Sequence, residues 1–391
     1  MKWNNKGHEF DQVYENIKRR NKLYLFGAGD YGEKIYDLLC KEKDIQGFID
    51  NNIEKQKQGY CGKKVYDISE IDKTKDDVGI ILCVSPYTRK PIMQQLMAEG
   101  YRYNETMFTM EVYMSVYYAY ELNKTYFPSI SFLPSTRCNL NCEACLNFTP
   151  YMKTFDERPW EQIQADVDIF FQRVDYIMLF HISGGEPLLY PKIGELVEYI
   201  DDNYRDKIHI LRTVTNGTVL PREELLEKLS KHRIEITVDD YREAVPKSSP
   251  TFDKLIALLE KYHIKYEVNK VDEWIDLAPM TTHHEDWSEE RLCKKFEGCH
   301  VPWQELRNGL LYSCNYASYA HVAGIIGEDK DGVFDLRTYE EDQRKELMEF
   351  RLGYNKKGYV EFCKRCSGYI DMNPNKVMPA KQAERRKYEV E

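Results

Sequence analysis

Short apolar runs alternate with amphipathic segments from the start of the chain. Residues 22–26 (KLYLF) predict a strand, the next residues (GAGDYG) a glycine turn, and EKIYDLL a helix with apolar residues at helical spacing. Two further apolar runs, at 45–52 (IQGFIDNN) and 78–85 (VGIILCVS), predict strands of a buried parallel sheet. The pattern therefore predicts an α/β, doubly wound domain over residues 1–105.

The alternation is interrupted and then returns. Residues 106–128 are rich in tyrosine and methionine and predict a linker helix that packs between domains. Over residues 129–284, five apolar strands (SISFLP, YIMLFHIS, IHILRTVT, IEITVDDY and IKYEVNKV) alternate with amphipathic helices. Such alternation predicts a parallel sheet, open or barrel-like. Residues 285–391 show no regular pattern and predict an irregular third domain.

Composition and charge narrow the class of protein. The chain has 391 residues and a formal net charge of −10, which gives it no electrostatic reason to bind nucleic acid or an anionic membrane. No apolar run approaches the roughly 18 residues of a membrane-spanning helix. Residues 1–20 are charged and lack the apolar centre of a signal peptide. We therefore expect a cytoplasmic protein with reduced thiols.

The 11 cysteines are unevenly distributed, and eight of them follow residue 137. Cys138, Cys142 and Cys145 form the first group, with the spacing C-x3-C-x2-C. Structural zinc is one interpretation, although closed zinc sites use four ligands. Three thiolates on a [4Fe–4S] cluster would leave one iron without a protein ligand, and an open metal position is where chemistry takes place.

Polar and glycine-rich segments follow the next strands at their carboxyl ends, where parallel β/α folds bind ligands. The segments are GGEP, TNG and VDDY, with the candidate residues Gly184, Gly185, Glu186, Pro187, Thr215, Asn216, Asp239 and Tyr241. The cysteine loop followed by these segments resembles the radical S-adenosylmethionine (SAM) superfamily.

That resemblance implies a partial (β/α)6 barrel and a [4Fe–4S] cluster held by the three cysteines, with SAM chelated to the open iron. It also implies a 5′-deoxyadenosyl radical that removes a hydrogen atom from the substrate. GGEP would meet the SAM amino group, TNG the ribose and carboxylate, and Asp239 would supply a polar contact. The family's aromatic residue before the third cysteine is Ala144 here, so Phe148 or another residue would pack on the adenine.

The second cysteine group has the pattern C-x9-G-x4-C, from Cys299 through Gly309 to Cys314, followed by the pair Cys363 and Cys366. Four thiolates can close a zinc site or a four-iron cluster. The pattern resembles the shortened SPASM, or twitch, extension of radical SAM enzymes, which implies an auxiliary [4Fe–4S] cluster. Cys293 is left over as an alternative ligand, a core residue or a hydrogen-atom donor.

The first glycine turn carries a further motif. Gly27, Gly29 and Gly32 form G-x-G-x-x-G between a strand and a helix, and Asp50 ends the next strand. This context matches the dinucleotide fingerprint and predicts a Rossmann-like domain over residues 1–105, although such a helix N-terminus suits any pyrophosphate. The segment resembles the nucleotide-sugar-binding domain that precedes bacterial sugar acyltransferases. The alternative is a related fold that binds nothing and only docks onto the core.

Together these patterns predict a radical SAM oxidoreductase that acts on a nucleotide-linked sugar in surface-polysaccharide metabolism. The expected reaction oxidises an alcohol to a ketone, the auxiliary cluster takes the second electron, and flavodoxin or ferredoxin is the reductant. A proton acceptor is then required, with Asp239, Tyr241, Lys270 and His283 as candidates. Epimerisation, dehydration, peptide modification and a non-catalytic zinc-stabilised binding protein remain the alternatives.

Overall fold

The computed structural model describes residues 1–72, 75–299 and 303–384. The chain divides into two compact units. The N-terminal unit comprises Asn5–Tyr126 and Arg344–Met348, and the C-terminal unit comprises Met1–Asn4, Phe127–Gln343 and Glu349–Glu391. Within the described residues, every helix is too short or too polar to cross a membrane.

The N-terminal unit is built on a parallel sheet. Its elements are α1 (Asp11–Arg19), β1 (Lys22–Phe26), α2 (Asp30–Leu39), β2 (Asp44–Ile49), α3 (Ile53–Gln58), β3 (Val65–Tyr66), β4 (Val78–Leu82), α4 (Pro86–Ala98), β5 (Met107–Thr109) and α5 (Met110–Tyr120). The strand order is β3-β2-β1-β4-β5, and every pair is parallel. The chain thus runs outward from β1 in both directions, which creates a switch point between β1 and β4. The glycine turn that follows β1 lies at this switch point.

The N-terminal unit extends beyond the boundary that the sequence predicts at residue 105. β5 adds an edge strand to the sheet, and α5 belongs to the same unit. The predicted linker helix over residues 106–128 is therefore a three-residue strand, an 11-residue helix and the start of the next strand. A run of three buried residues is too short to show a period, which is why the pattern missed β5.

The C-terminal unit contains a larger sheet. Its elements are β6 (Tyr126–Phe132), α6 (Trp160–Arg173), β7 (Tyr176–Ile182), α7 (Ile193–Tyr204), β8 (Ile208–Thr215), α8 (Glu223–Leu229), β9 (Ile234–Asp239), α9 (Ser249–Lys261), β10 (Lys265–Asn269), β11 (Trp274–Ile275), α10 (Glu289–Cys299), β12 (Glu305–Arg307), β13 (Leu310–Tyr312), α11 (Asn315–Val322), β14 (Val333–Asp335) and β15 (Lys376–Val377). The helix α12 (Arg344–Arg351) is divided between the two units after Met348. The eight-stranded order is β10-β9-β8-β7-β6-β12-β13-β14. β11 and β15 form a separate antiparallel pair.

Two predictions about this unit need correction. Of the six expected β/α repeats, the described residues form five consecutive strands, β6 to β10, with one helix between each pair. The next parallel strand, β12, joins the opposite edge of the sheet beside β6. The predicted third domain after residue 284 is also not a separate unit, because β12, β13 and β14 continue the same sheet.

The glycine of the second cysteine pattern has a structural explanation. Asn308 and Gly309 connect β12 to β13, with φ angles of 54° and 72°. Two successive positive φ angles are what a two-residue hairpin requires, and Asn-Gly is the usual dipeptide there. Both backbone amides donate to the carboxylate of Asp166 on α6, at 2.7 and 2.6 Å. This hairpin is therefore anchored to the first helix of the β/α series.

Candidate functional site

The three cysteines of the first group lie on one loop, directly after β6. The Cys142 side chain is buried, and those of Cys138 and Cys145 are partly buried. All three belong to one small cluster, whose other members are Leu140, Tyr241, Ala244, Val245, Trp274 and Ala380. The loop thus gathers three thiols into a single pocket of apolar side chains.

Cys138 shows what this environment does to a thiol. Its Sγ accepts hydrogen bonds from the backbone N–H of Leu140 at 3.4 Å and from Nδ2 of Asn216 at 3.9 Å. Burial nevertheless raises the pKa of the Cys138 thiol to about 12. A thiolate at this place requires a compensating cation, and metal ions deprotonate coordinating thiols. Soft thiolate donors with a nearby amide fit an iron–sulfur cluster.

The GGEP segment fits directly against the residues that precede Cys138. The backbone amide of Gly185 donates to Ser135 O at 3.1 Å, and that of Glu186 donates to Arg137 O at 2.7 Å. A Cβ atom on Gly185 would lie 2.3 Å from Thr136 O and 2.4 Å from Arg137 O. Only glycine allows this approach, so the segment after β7 supports the cysteine loop.

The remaining residues of the GGEP segment are also tied to the loop. The Gly184 carbonyl accepts a hydrogen bond from Nδ2 of Asn147, two residues after Cys145. Pro187 lies against Gly184, since a Cβ atom there would be 3.2 Å from its ring. The segment is therefore held from both ends of the cysteine motif.

The Glu186 carboxylate connects two strand ends. Its oxygens accept the backbone N–H groups of Leu188, at 3.1 Å, and Asn216, at 2.7 Å. Burial raises the pKa of Glu186 to about 7. The side chain therefore braces the turn after β7 against the turn after β8.

The TNG segment after β8 reaches the same loop. Nδ2 of Asn216 donates to Oδ1 of Asn139 at 3.0 Å, and the Asn139 amide donates to the Thr218 hydroxyl at 2.7 Å. Thr215 is buried. Gly217 has φ +69°, and a Cβ atom there would lie 2.7 Å from the Phe252 ring. Asn139, which the sequence interpretation did not single out, thus joins the turn to the cysteine motif.

The VDDY segment completes the group of strand ends. The Tyr241 hydroxyl donates to Oδ2 of Asp239 at 2.6 Å, and Nδ2 of Asn269, at the end of β10, donates to Oδ1 at 2.7 Å. Burial raises the pKa of Asp239. The Tyr241 ring meets Trp274 edge-on at 5.3 Å between centroids. Four successive strand ends are therefore linked to one cysteine loop.

Beside this loop, one face of the sheet is polar. His181 on β7 is in register with Arg212 on β8, and Arg212 with Glu235 on β9. Arg212 forms ion pairs with Glu235 at 3.1 Å and with Glu267 on β10 at 3.5 Å. Thr237 donates to Glu267 at 3.0 Å. Side chains alternate along strands, so this row continues to Asp239 at the carboxyl end.

His181 stands out within that face. Its Nδ1 atom is buried and has no hydrogen-bond partner among the described residues. Burial, and then the charge of Arg212, lower the pKa of His181 to about 4. The imidazole is therefore neutral near pH 7 and keeps one unused polar atom. Nothing in the local sequence indicated this position, which is a single polar residue in an otherwise apolar strand.

The second cysteine group also comes together. Cys314 precedes α11, Cys299 ends α10, and Cys363 and Cys366 lie in or directly after a short 3-10 helix over Glu361–Arg365. Cys314, Cys363 and Cys366 share one buried cluster, and the charges of the other thiols contribute to the raised pKa values of Cys314 and Cys363 after the larger effect of burial.

A buried lysine lies beside the second cysteine group. Lys295 is 7% exposed, and its ammonium donates to the carbonyls of Cys363, at 2.8 Å, and Cys366. Burial lowers the pKa of Lys295, and the thiolate charges of Cys366, Cys363 and Cys299 oppose that shift. The site thus places one cation beside three potential thiolates.

The remaining candidate residues from the sequence either pack against the second cysteine group or are exposed. The Cys293 thiol donates to Lys357 O at 3.2 Å and packs with the cluster of the second cysteine group. Lys270 is exposed, and the His283 side chain is 59% exposed. Phe148 is buried, and its ring meets Phe362 at 5.5 Å. The ring of Phe148 thus joins the two cysteine groups rather than lying open to a ligand.

The glycine turn of the N-terminal unit is tightly packed at two of its three glycines. A Cβ atom on Gly27 would lie 2.5 Å from Cys83 O, and one on Gly32 would lie 2.0 Å from Gly27 O. Gly29 has open space around it. Oδ2 of Asp50 accepts the Ala28 amide at 3.0 Å, so this carboxylate braces the turn. Only Gly29 faces free space where a ligand would fit.

The case for metal binding by these cysteines is that thiolates are good metal ligands and that the thiols of each group lie near one another. Within the described ranges, no three histidine, cysteine, aspartate or glutamate side chains already have the spacing of a bound metal ion. The first three thiols nevertheless share one cluster. Cys314, Cys363 and Cys366 share another, and the charge of Cys299 acts on Cys314 and Cys363. The donor sets therefore fit the iron–sulfur clusters that their spacing predicts.

Comparison with known proteins agrees with the first site. Residues 132–273 match the model of the radical SAM superfamily, and residues 19–107 match the family described as C2185-like, N-terminal. Over 124 residues the chain is 32% identical to GTP 3',8-cyclase of Microcystis aeruginosa, which is 31% of this chain and 35% of that protein. The chain thus spans about a third of this relative.

Solved structures show weaker similarity. BtrN in complex with AdoMet and 2-DOIA has a TM-score of 0.36 and 16% identity, over 62% of this chain and 93% of BtrN. Streptococcus suis SuiB bound to S-adenosylmethionine has a TM-score of 0.32 and 19% identity, over 55% of this chain and 48% of SuiB. The family match carries the assignment: the chain contains a radical SAM domain, whose cofactors are a [4Fe–4S] cluster and SAM.

Proposed function

We propose that this radical SAM enzyme oxidises an alcohol of a nucleotide-linked sugar to a ketone, with an auxiliary [4Fe–4S] cluster accepting one electron. The observation that carries the substrate class is the polar face of the larger sheet. Its side chains offer charged and neutral hydrogen-bonding groups from four adjacent strands, beside the cysteine loop.

The two faces of this sheet differ in chemistry. On β8 and β9 the buried face consists of Leu211, Thr213, Ile234, Ile236 and Val238. The other face is partly exposed and carries Arg212, Glu235, Thr237 and Asp239, together with the apolar Ile210 and Val214. On this face, Nδ1 of His181 and Nε of Arg212 are buried and have no hydrogen-bond partner among the described residues. An unpaired buried group is costly, so both atoms need a polar partner. A substrate with many hydroxyl groups meets that need, and an apolar substrate does not.

The N-terminal unit supports the nucleotide part of the proposal. Its glycine turn lies at the switch point of a parallel sheet, before the N-terminus of α2, where backbone amides favour a phosphate. Gly29 has open space, as a residue next to a pyrophosphate requires. Oδ2 of Asp50 accepts the backbone N–H of Ala28 within the turn. We therefore assign Asp50 to support of the turn rather than to binding of a ribose hydroxyl.

The chain's residues have separate roles in the proposed reaction. Cys138, Cys142 and Cys145 hold the first cluster, and the turns after β7, β8 and β9 hold SAM. When bound, these two cofactors supply a 5′-deoxyadenosyl radical. Oxidation of an alcohol then removes one hydrogen atom, one proton and one electron from the substrate. His181 is proposed as the proton acceptor, because its Nδ1 atom is unpaired on the polar face.

The remaining electron is assigned to the second cysteine group, where Cys299, Cys314, Cys363 and Cys366 would hold the auxiliary cluster. Contact between Phe148 and Phe362 supports this role, because these rings lie three residues after Cys145 and one residue before Cys363. Flavodoxin or ferredoxin is proposed as the external reductant that starts each turnover. Each ketone formed then consumes one SAM.

A substrate screen tests this function. The anaerobically reconstituted enzyme, with SAM and reductant, is incubated with a panel of nucleotide sugars and with the matching free sugars. We expect one nucleotide sugar to increase 5′-deoxyadenosine formation and to yield an equal amount of a keto sugar, with deuterium from the oxidised carbon recovered in 5′-deoxyadenosine. If SAM cleavage responds to no sugar but does respond to peptides, the substrate assignment is wrong.

A further inference from the structure

A segment close to the end of the described chain runs along the cysteine loop. The backbone amide of Glu143 donates to Lys381 O at 2.8 Å, and that of Ala383 donates to Asn141 O at 2.8 Å. Cys142 and Gln382 form an antiparallel bridge between the two segments. Residues 380–383, here called the C-terminal strap, therefore pair with the loop that carries the first cysteine group.

The strap is also buried at one end. Ala380 is fully buried, in the same cluster as Leu140 and Cys142. Nδ2 of Asn141 adds a hydrogen bond to Ala383 O at 3.0 Å. The Lys381 ammonium pairs with Glu143 at 2.9 Å, although the lysine side chain is 58% exposed. Apolar packing and paired backbone groups thus fix the strap against the loop.

Gln382 points its side-chain amide at a cysteine sulfur. Its Nε2 atom lies 3.3 Å from Sγ of Cys142 and 2.6 Å from Ala380 O. Its Oε1 atom accepts the backbone N–H of Asn141 at 2.8 Å. An amide nitrogen carries two hydrogens, so one is directed to the Ala380 carbonyl and the other to the sulfur. Both ends of the amide are therefore held in place.

A hydrogen bond to a cluster sulfur changes the energy of the added electron. Reduction makes an iron–sulfur cluster more negative, and a donor on a ligating thiolate stabilises that negative charge. Cys142 is 9% exposed, so protein groups rather than bulk water provide most of its donors. An amide at this distance is consequently a determinant of the reduction potential.

We propose that the C-terminal strap is part of the cluster-binding site, and that Gln382 raises the reduction potential of the SAM-binding cluster through a hydrogen bond to Cys142. Gln382 is a positioning residue, because it acts through the cysteine and touches no substrate. It lies outside residues 132–273, the part of the chain that matches the radical SAM model. The inference rests on the assignment of Cys142 as a cluster ligand.

The reduction potential tests the role of Gln382 directly. The protein with both clusters is titrated with dithionite, and the EPR signal that changes on SAM addition identifies the first cluster. We expect a more negative midpoint potential in Gln382→Met, which loses the N–H donor, and in Gln382→Glu, which keeps an acceptor for Asn141. Gln162→Met, the same substitution at an exposed residue on α6, is the control and should match the wild type. An unchanged potential in Gln382→Met would overturn the role of Gln382.

Hydrogen exchange tests the strap without any cluster. In the cluster-free protein, a chain that ends after Pro379 should lose amide protection around residues 141–143, and a chain that ends after Glu384 should not. Equal protection in both chains would show that the strap is not part of the loop's structure. A wild-type protein with no SAM-responsive signal would instead refute the ligand assignment, whatever the exchange result.

Discussion

At the scale of single residues, Lys295 has the most direct consequence for redox chemistry. A buried ammonium is unfavourable unless nearby groups compensate its charge. Here two cysteine carbonyls accept its hydrogen bonds, and the charges of the Cys366, Cys363 and Cys299 thiolates favour its protonated form. We infer that the lysine offsets the negative charge of the proposed auxiliary cluster.

Lys295→Met should therefore shift the midpoint potential of the auxiliary cluster to more negative values, because the reduced state loses a nearby positive charge. An EPR-monitored titration measures the shift. Lys294→Met is the matched control, since the neighbouring lysine is on the same helix but 73% exposed and paired with Glu290. If both variants keep the wild-type potential, Lys295 has only a packing role.

His181 gives a prediction about the substrate proton. His181→Phe keeps an aromatic ring beside Trp303, 5.3 Å away, but removes the unpaired nitrogen. Ketone formation should fall by about 100-fold or more, the scale of a lost proton acceptor. Cleavage of SAM without substrate should not change. His283→Phe, on an exposed loop residue, should retain ketone formation; the reverse pattern would assign the proton to His283.

Glu305 on β12 gives a pH-dependent prediction for stability. This fully buried carboxyl has its pKa raised to about 7 by burial. A raised pKa means that the folded state holds the proton more tightly, so this stabilisation is present at low pH and is lost as pH rises through 7.

Glu305→Gln removes the ionisation. Between pH 6 and pH 8, the free energy of unfolding of the wild type should fall by about 1 kcal/mol relative to this variant. Denaturant titrations at the two pH values measure the difference. A difference that is constant with pH would show that Glu305 does not titrate in this range.

Residue chemistry was only partly readable from the sequence. The cysteine groups, GGEP, TNG and VDDY were visible because each has a spacing or a turn signature. Lys295, Gln382 and His181 were not, since each is an isolated polar residue whose importance comes from a distant partner. The contact of Gln382 with Cys142 spans 240 residues, and no local pattern records such a pairing.

At the scale of elements, the turn after β7 supports the cysteine loop. Gly185→Ala would place a methyl group 2.3 Å from Thr136 O, and the backbone before Cys138 would have to move. Such overpacking costs about 1–3 kcal/mol, and we expect loss of the SAM-responsive EPR signal. Gly327→Ala, where a Cβ atom meets nothing within 4 Å, should keep it. A normal signal in Gly185→Ala would contradict the tight contact.

Strands and helices were predictable from the sequence where the pattern of apolar residues extended over enough residues to show its spacing. All five strands from β6 to β10 follow the predicted segments, because each has at least five residues flanked by turns. The short strands β5, β12, β13 and β14 have three residues each and show no period. The Asn308–Gly309 dipeptide was the available signal for the β12–β13 hairpin, as a two-residue turn of this type.

At the scale of the whole molecule, the chain combines a five-stranded parallel sheet with a radical SAM domain. The sheet of that domain is continued by β12, β13 and β14, from the segment that carries Cys299 and Cys314. The sequence separated that segment as a third domain because its pattern is irregular. The structure joins it through β12, next to β6. Whether the segment after residue 284 is a separate domain depends on strand pairing between residues far apart in the chain. The spacing of apolar residues within one segment does not reveal such pairing.

The most direct measurement is reductive SAM cleavage by the reconstituted wild type and by Cys138→Ala, with Cys40→Ala as a control on an isolated thiol. The wild type and the control should form 5′-deoxyadenosine under dithionite. Cys138→Ala should form only background amounts while it keeps about four of roughly eight irons, those of the auxiliary cluster. Wild-type amounts of 5′-deoxyadenosine from Cys138→Ala would contradict the assignment of the three-cysteine loop as the SAM-binding cluster.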